Sequence, residues 1–149
     1  MSRNESNLFR ITIKPDSKIG KAFDFCQEKS IVGVGWKLWS TDGTLYVPKN
    51  IWDCEEAGRR CYPKSRGFVT AIHCLGRMKL DDLIWTRNNG VYYLCRVTGS
   101  WEYHNEPEYL NEDLENVIGV EFNEVGTVDE VPGKVVNSFR SGSSIQGIH

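Results

Sequence analysis

Five tryptophans, Trp36, Trp39, Trp52, Trp85 and Trp101, are many for a chain of 149 residues. An indole presents a flat π-face on which a nucleobase stacks, a contact that contributes ~1–3 kcal/mol per base. Two or three such faces set at angles make a cage. A cage favours a methyl group on a modified base, because that methyl is apolar and slightly cationic. Neighbours decide whether a tryptophan is wall or core. Leu83-Ile84-Trp85 reads as a buried run, and Trp52 is also assigned to the core. Trp36, Trp39 and Trp101 stand at strand ends or in loops beside Gly, Ser or Thr, where pocket mouths form.

Charge is unevenly spread along a chain whose formal net charge is only -2. From Ala57 to Leu80 the charged residues are Arg59, Arg60, Lys64, Arg66, Arg77 and Lys79, with no acid among them. From Glu102 to Glu130 the sequence holds acids and no Lys or Arg. A basic face beside an acidic one suits a steered phosphate binder of low net charge. Two solvated surfaces would give the same pattern. The phosphate candidates are Arg59, Arg60, Arg66, Arg77 and Lys79, with Arg87 on the next strand.

Enzyme chemistry finds little footing. The histidines are His73, His104 and His149, and neither an H-x-x-x-H nor a G-x-S-x-G motif occurs. His73 falls in an apolar helical stripe and reads as structural. Gly33-Val34-Gly35 lacks the third glycine and the following helix of a dinucleotide site. Asp81-Asp82 is followed by no nuclease-like E-x-K. No catalytic residue, metal ligand or cofactor is assigned. Cys26, Cys54, Cys61, Cys74 and Cys95 are odd in number and form no C-x-x-C pair, which reads as reduced, mostly buried thiols in a cytoplasmic protein. The polar N-terminus has no apolar targeting core, and no apolar run reaches the ~18 residues of a membrane span.

The elements that must position these residues read as an α+β chain, one domain over 1–149. Leu8 to Ile13 alternates as a strand; Pro15-Asp16-Ser17 is a turn and helix start, with Ile19, Ala22, Phe23 and Cys26 at helical spacing. Ile31 to Trp36 is a buried strand whose two glycines suggest close approach of a backbone or ligand. Residues 38–48 are loop, with a turn at Asp42-Gly43. Residues 50–78 are helical in parts, broken near Pro63 and Gly67, and Phe68, Ala71, Ile72 and Leu75 form an apolar stripe. Leu83–Arg87 and Val91–Val97 make a hairpin around Asn88-Asn89-Gly90. Val117–Phe122 is a further strand, and Val131–Phe139 a short helix opening near Pro132. The hairpin is expected beside Val32–Trp36 in one curved sheet, under the helix near Lys18–Glu28.

Three stretches carry a resemblance. They are Gly33-Val34-Gly35-Trp36-Lys37-Leu38-Trp39-Ser40-Thr41, Met78-Lys79-Leu80-Asp81-Asp82-Leu83-Ile84-Trp85-Thr86-Arg87, and Gly90-Val91-Tyr92-Tyr93-Leu94-Cys95-Arg96-Val97-Thr98-Gly99. In this order they resemble the PUA-like superfamily, in particular its EVE and YTH branches. The resemblance departs at Leu80-Asp81-Asp82, where the family usually has a glycine before Asp, and in the acidic loop after Trp101. It implies a PUA-like curved mixed sheet or β-barrel flanked by helices, with an aromatic pocket for a flipped, modified base. By position it implies Trp36, Trp39, Ser40 and Thr41 on one side of that pocket, and Trp101 and Tyr103 on the other. The implied partner is DNA carrying methylated or hydroxymethylated cytosine or N6-methyladenine. Similar modules precede a motor or nuclease domain in modification-dependent restriction proteins, and the Ser/Gly-rich tail from Phe139 to His149 reads as such a linker or as a frayed end. Three other readings stay open: an RNA-binding module, a protein–protein module using the acidic 102–130 surface, and a small hydrolase or nuclease.

Overall fold

The computed structural model describes residues 7–13 and 21–149. The turn expected at Pro15–Ser17 lies outside them. Strand β1 (Leu8–Ile11) is followed by helix α1 (Lys21–Lys29), which buries Ala22, Phe23 and Cys26 along one face. Ser30, at φ 57, reverses the chain into β2 (Ile31–Val34), all four residues of which are buried. After the 36–48 loop come α2 (Ile51–Cys61) and α3 (Arg66–Arg77). Asn50 and Ser65 cap them, each side-chain oxygen accepting an N–H three residues on, from Asp53 at 2.8 Å and Phe68 at 3.1 Å. The two helices cross closely because Gly58 has no side chain; a Cβ there would stand 1.8 Å from Phe68 Cζ.

Strands β3 (Leu83–Asn88) and β4 (Val91–Val97) form the expected hairpin. Asn89 and Gly90 both take positive φ, 51 and 79, as a two-residue turn matched to strand twist requires. Then follow β5 (Glu102–Tyr103), α4 (Pro107–Asn111), β6 (Asn116–Gly126), α5 (Gly133–Ser138) and β7 (Ile145–Gly147). The strand order is β2-β6-β4-β3-β1-β7, with β5 also on β6. Only β1 and β3 run parallel among these pairs. The hairpin therefore does not lie directly beside β2. The long β6 intervenes, its first half paired with β2 and its second with β4. The result, among the described residues, is a strongly curled, half-barrel mixed sheet with five helices.

The main core joins α1, α3 and the sheet, with Phe23 packed on Tyr93 and Phe122. A second cluster, Leu38, Cys54, Ala57, Phe68 and Ile72, fills the space between α2, α3 and the loop after β2. A third, Trp85, Tyr92, Val131, Val135 and Phe139, lies between the hairpin and α5. Trp85 is core, as its run suggests. Trp52 is not: it is 78% exposed, because α2 buries Cys54, Ala57 and Gly58 and Trp52 falls on the other face. His73 likewise leaves the buried stripe and pairs with Glu55 at the surface, 2.9 Å away. The tail is neither linker nor frayed over 143–147. There β7 pairs with β1, and the fully buried Arg10 donates to the Ser143 carbonyl at 2.6 Å. Cys26, Cys54, Cys74 and Cys95 are buried free thiols and Cys61 is half-buried. Among the described residues no helix is long and apolar enough to cross a membrane.

Candidate functional site

Where the chain leaves β2, two residues with unusual backbone shape a cavity of about 430 Å3. Trp36 has φ +73 and Asp113, after α4, has φ +55, both in the left-handed region that non-glycine residues seldom occupy. Such backbone persists only where surrounding structure holds it. Asn116 supplies that hold. Its Nδ2 donates to the Gly35 carbonyl at 2.6 Å, and its Oδ1 accepts from Trp101 Nε1 at 2.9 Å and from the Cys54 thiol at 3.4 Å. Gly35 is required by space: a Cβ there would stand 2.4 Å from Asp113 Oδ1.

Trp36 and Trp39 both line the cavity, with Lys37 between them in sequence. The Trp36 ring sits edge-to-face on Phe68, centroids 5.7 Å apart, close to Gly67 in the first turn of α3. Trp39 is 42% exposed, and its backbone is fixed by a bridge to Leu45 and by N–H donation to Cys61 Sγ at 3.3 Å. Tyr62 forms another wall and donates its hydroxyl to the Lys37 carbonyl at 2.5 Å. Thr12, after β1, and Ser144, before β7, close the far side, so the cavity lies where the two edges of the curled sheet approach.

The rest of the expected cage is not brought here. Trp101 is half-buried between two core clusters and bonded to Asn116. The Tyr103 hydroxyl accepts the Leu38 N–H at 3.0 Å, and burial pushes its pKa up. Neither ring lines the cavity. Ser40 and Thr41 belong to the turn held by Gly43 N–H donation to the Ser40 carbonyl, outside the wall. Sequence reasoning did not assign Lys37, Tyr62, Glu112 or Asp113 to the site. The glycine pair at 33 and 35 was its one local signal for close approach.

A second cleft, about 490 Å3, is lined by Arg59, Tyr62, Lys64, Ser65 and Arg66 at the turn between α2 and α3. Tyr62 belongs to both walls, so cleft and cavity adjoin. Arg59 is held by Glu55 at 2.7 Å, and Arg60 shares its helical turn. The other expected phosphate contacts lie elsewhere. Arg77 is at the opposite end of α3, over the Phe9 ring, with Lys79 just beyond. Arg87 is on the hairpin, 4.5 Å from the Phe139 centroid and donating to the Tyr92 hydroxyl at 3.0 Å.

Three acids stand at the α4–β6 turn. Glu112 and Asp113 line the cavity, and Glu115 is fully buried behind them. Burial first, then the charge of Asp113, raise the Glu115 pKa to about 8, with Lys37 opposing. Further along, His104 stacks on Tyr109 at 4.2 Å between Glu102 and Glu106, at 2.8 and 2.9 Å. Burial would lower the His104 pKa, but these two carboxylates outweigh it and raise it. No family model, curated protein or solved structure matches the chain.

Proposed function

We propose that the chain is a nucleic-acid-binding module of PUA-like type that takes one base, flipped from its strand, into the cavity beside Trp36 and Trp39. The observation that carries this reading is the adjacency of cavity and cleft. An aromatic-walled cavity of about 430 Å3 shares Tyr62 with a cleft lined by Arg59, Lys64 and Arg66. The cavity volume falls within the ~300–1,000 Å3 of small-ligand sites. The cleft offers three cations and the first turn of a twelve-residue helix, groups suited to phosphates. Stacking on the rings offsets much of the few kcal/mol that extruding a base costs.

DNA carrying 5-methylcytosine, 5-hydroxymethylcytosine or N6-methyladenine is the partner this reading favours, through burial of the added group against indole. The test is a binding panel over matched DNA and RNA oligonucleotides with each base modified or plain. Affinity should fall steeply with salt as phosphate contacts displace counterions, and at least one modified DNA should bind several-fold tighter than its plain form. Tighter binding of RNA transfers the reading to an RNA module. Salt-independent binding, or none, overturns it.

A further inference from the structure

We propose a second site, independent of the base reading, that binds a phosphate group between Arg77, Lys134 and His149. These residues come from three separate segments: the last turn of α3, the first turn of α5 and the chain after β7. They line one cleft of about 400 Å3. The rest of its wall is Asn7, Gly147 and the apolar Leu8, Phe9 and Ile148, with no Asp or Glu side chain. Asp82, which accepts the Asn7 and Lys79 N–H groups at 2.9 and 3.0 Å, is fully buried and does not line the cleft.

Gly147 opens the meeting point. The position that a Cβ would take there lies 3.4 Å from His149 Nε2 and 3.7 Å from Arg77 Nη2. Two donor groups from different segments therefore border one spot that no side chain fills. Arg77 is steadied from behind, its guanidinium 5.8 Å from the centroid of the buried Phe9 ring and donating to Cys74 Sγ at 3.8 Å. Among the described residues neither Arg77 nor Lys134 forms an ion pair, whereas Arg59 is held by Glu55. Cations gathered without a counter-charge repel one another, and an anion seated between them turns that cost into attraction. A phosphate suits the spot better than a carboxylate. Its oxygens accept from several directions at once, in a fork from arginine and as a point charge from lysine. The apolar side of the cleft leaves room for the group that carries the phosphate, either a nucleic-acid strand or a small phosphorylated molecule.

The probe is inorganic phosphate, titrated at constant ionic strength into the full chain, with acetate as the control anion. The Gly147 amide and the His149 ring report the site by NMR. Both resonances should shift saturably with phosphate and stay nearly still with acetate. Lys134→Gln, an exposed change that leaves the core untouched, should weaken phosphate at least ~threefold, and Arg77→Gln/Lys134→Gln at least ~tenfold. A thermal melt reports folding. If the double variant loses stability because Phe9 is uncovered, Lys134→Gln decides the matter alone. A plain oligonucleotide, titrated into the same proteins, separates the two sources. Weaker binding by the folded variants assigns the phosphate to a strand, and unchanged binding beside lost phosphate affinity assigns it to a small molecule. Shifts that never saturate, an equal response to acetate, or full phosphate affinity in both variants overturns the site.

Discussion

Two of the regions that combine aromatic rings with arginines differ in how open they are. At the first, Trp36, Trp39 and Tyr62 border a cavity next to Arg59 and Arg66. At the second, Trp85, Tyr92 and Phe139 pack under α5, with Arg87 and Arg10 at 4.5 and 5.5 Å from the Phe139 centroid. There the guanidiniums cover the ring faces that a base would need. The difference lies in the backbone. The first region has Gly35, which lets the chain approach the Asp113 carboxylate, and left-handed backbone at Trp36 and Asp113. The second is a regular hairpin closed by a helix. Aromatic residues beside cations thus make a candidate site only where the backbone keeps their faces uncovered.

The largest expected effect separates the regions by stability. Trp85→Ala removes a core ring and should cost ~3–5 kcal/mol, a fall of roughly 10 °C in Tm. Trp39→Ala should leave Tm nearly unchanged while weakening oligonucleotide binding by ~tenfold or more. Calorimetry and anisotropy on both variants check this; the reverse pattern would assign the site to the wrong region. Charge reversal comes next. Arg66→Glu should weaken modified and unmodified DNA alike and flatten the salt slope by about one. Arg87→Glu, engaged with Phe139 and Tyr92, should change affinity by less than ~twofold.

A smaller effect is the pH dependence of stability. Glu115 has its folded pKa raised from 4.5 to about 8, so the fold prefers its protonated form. That contribution is fully present below pH 4.5 and is lost progressively as pH rises through about 8. Glu115→Gln should remove this slope from urea midpoints measured across the window. An unchanged slope would place the titration elsewhere.

The hairpin, the α3 stripe and β2 were legible because each is encoded locally, in alternation, in helical spacing or in Asn89-Gly90. Insertion of β6 between β2 and β4 was not, since pairing order depends on contacts between residues far apart in sequence. Strand β7 escaped notice because a three-residue strand with one buried apolar residue, Ile145, leaves no periodicity in a Ser/Gly-rich segment. Trp52 was misplaced because the buried face of α2 consists of small residues, Cys54, Ala57 and Gly58, and its large ring falls on the opposite side. Two of the three aromatic residues of the wall, Trp36 and Trp39, are readable from position beside glycines and a turn. Trp101 and Tyr103 were drawn inward by polar partners, Asn116 and the Leu38 N–H, that no local pattern announces. Tyr62, Glu112 and Asp113 come from segments some fifty residues apart and meet only in the fold.

The central claim is that a base enters between the residues following β2, and indole NMR tests it most directly. With the five indole N–H resonances assigned, a titration with an oligonucleotide carrying one 5-methylcytosine should shift Trp36 and Trp39 and leave Trp85 unmoved. Shifts confined to Trp52 or Trp85, with Trp36 and Trp39 unchanged at saturation, would contradict it.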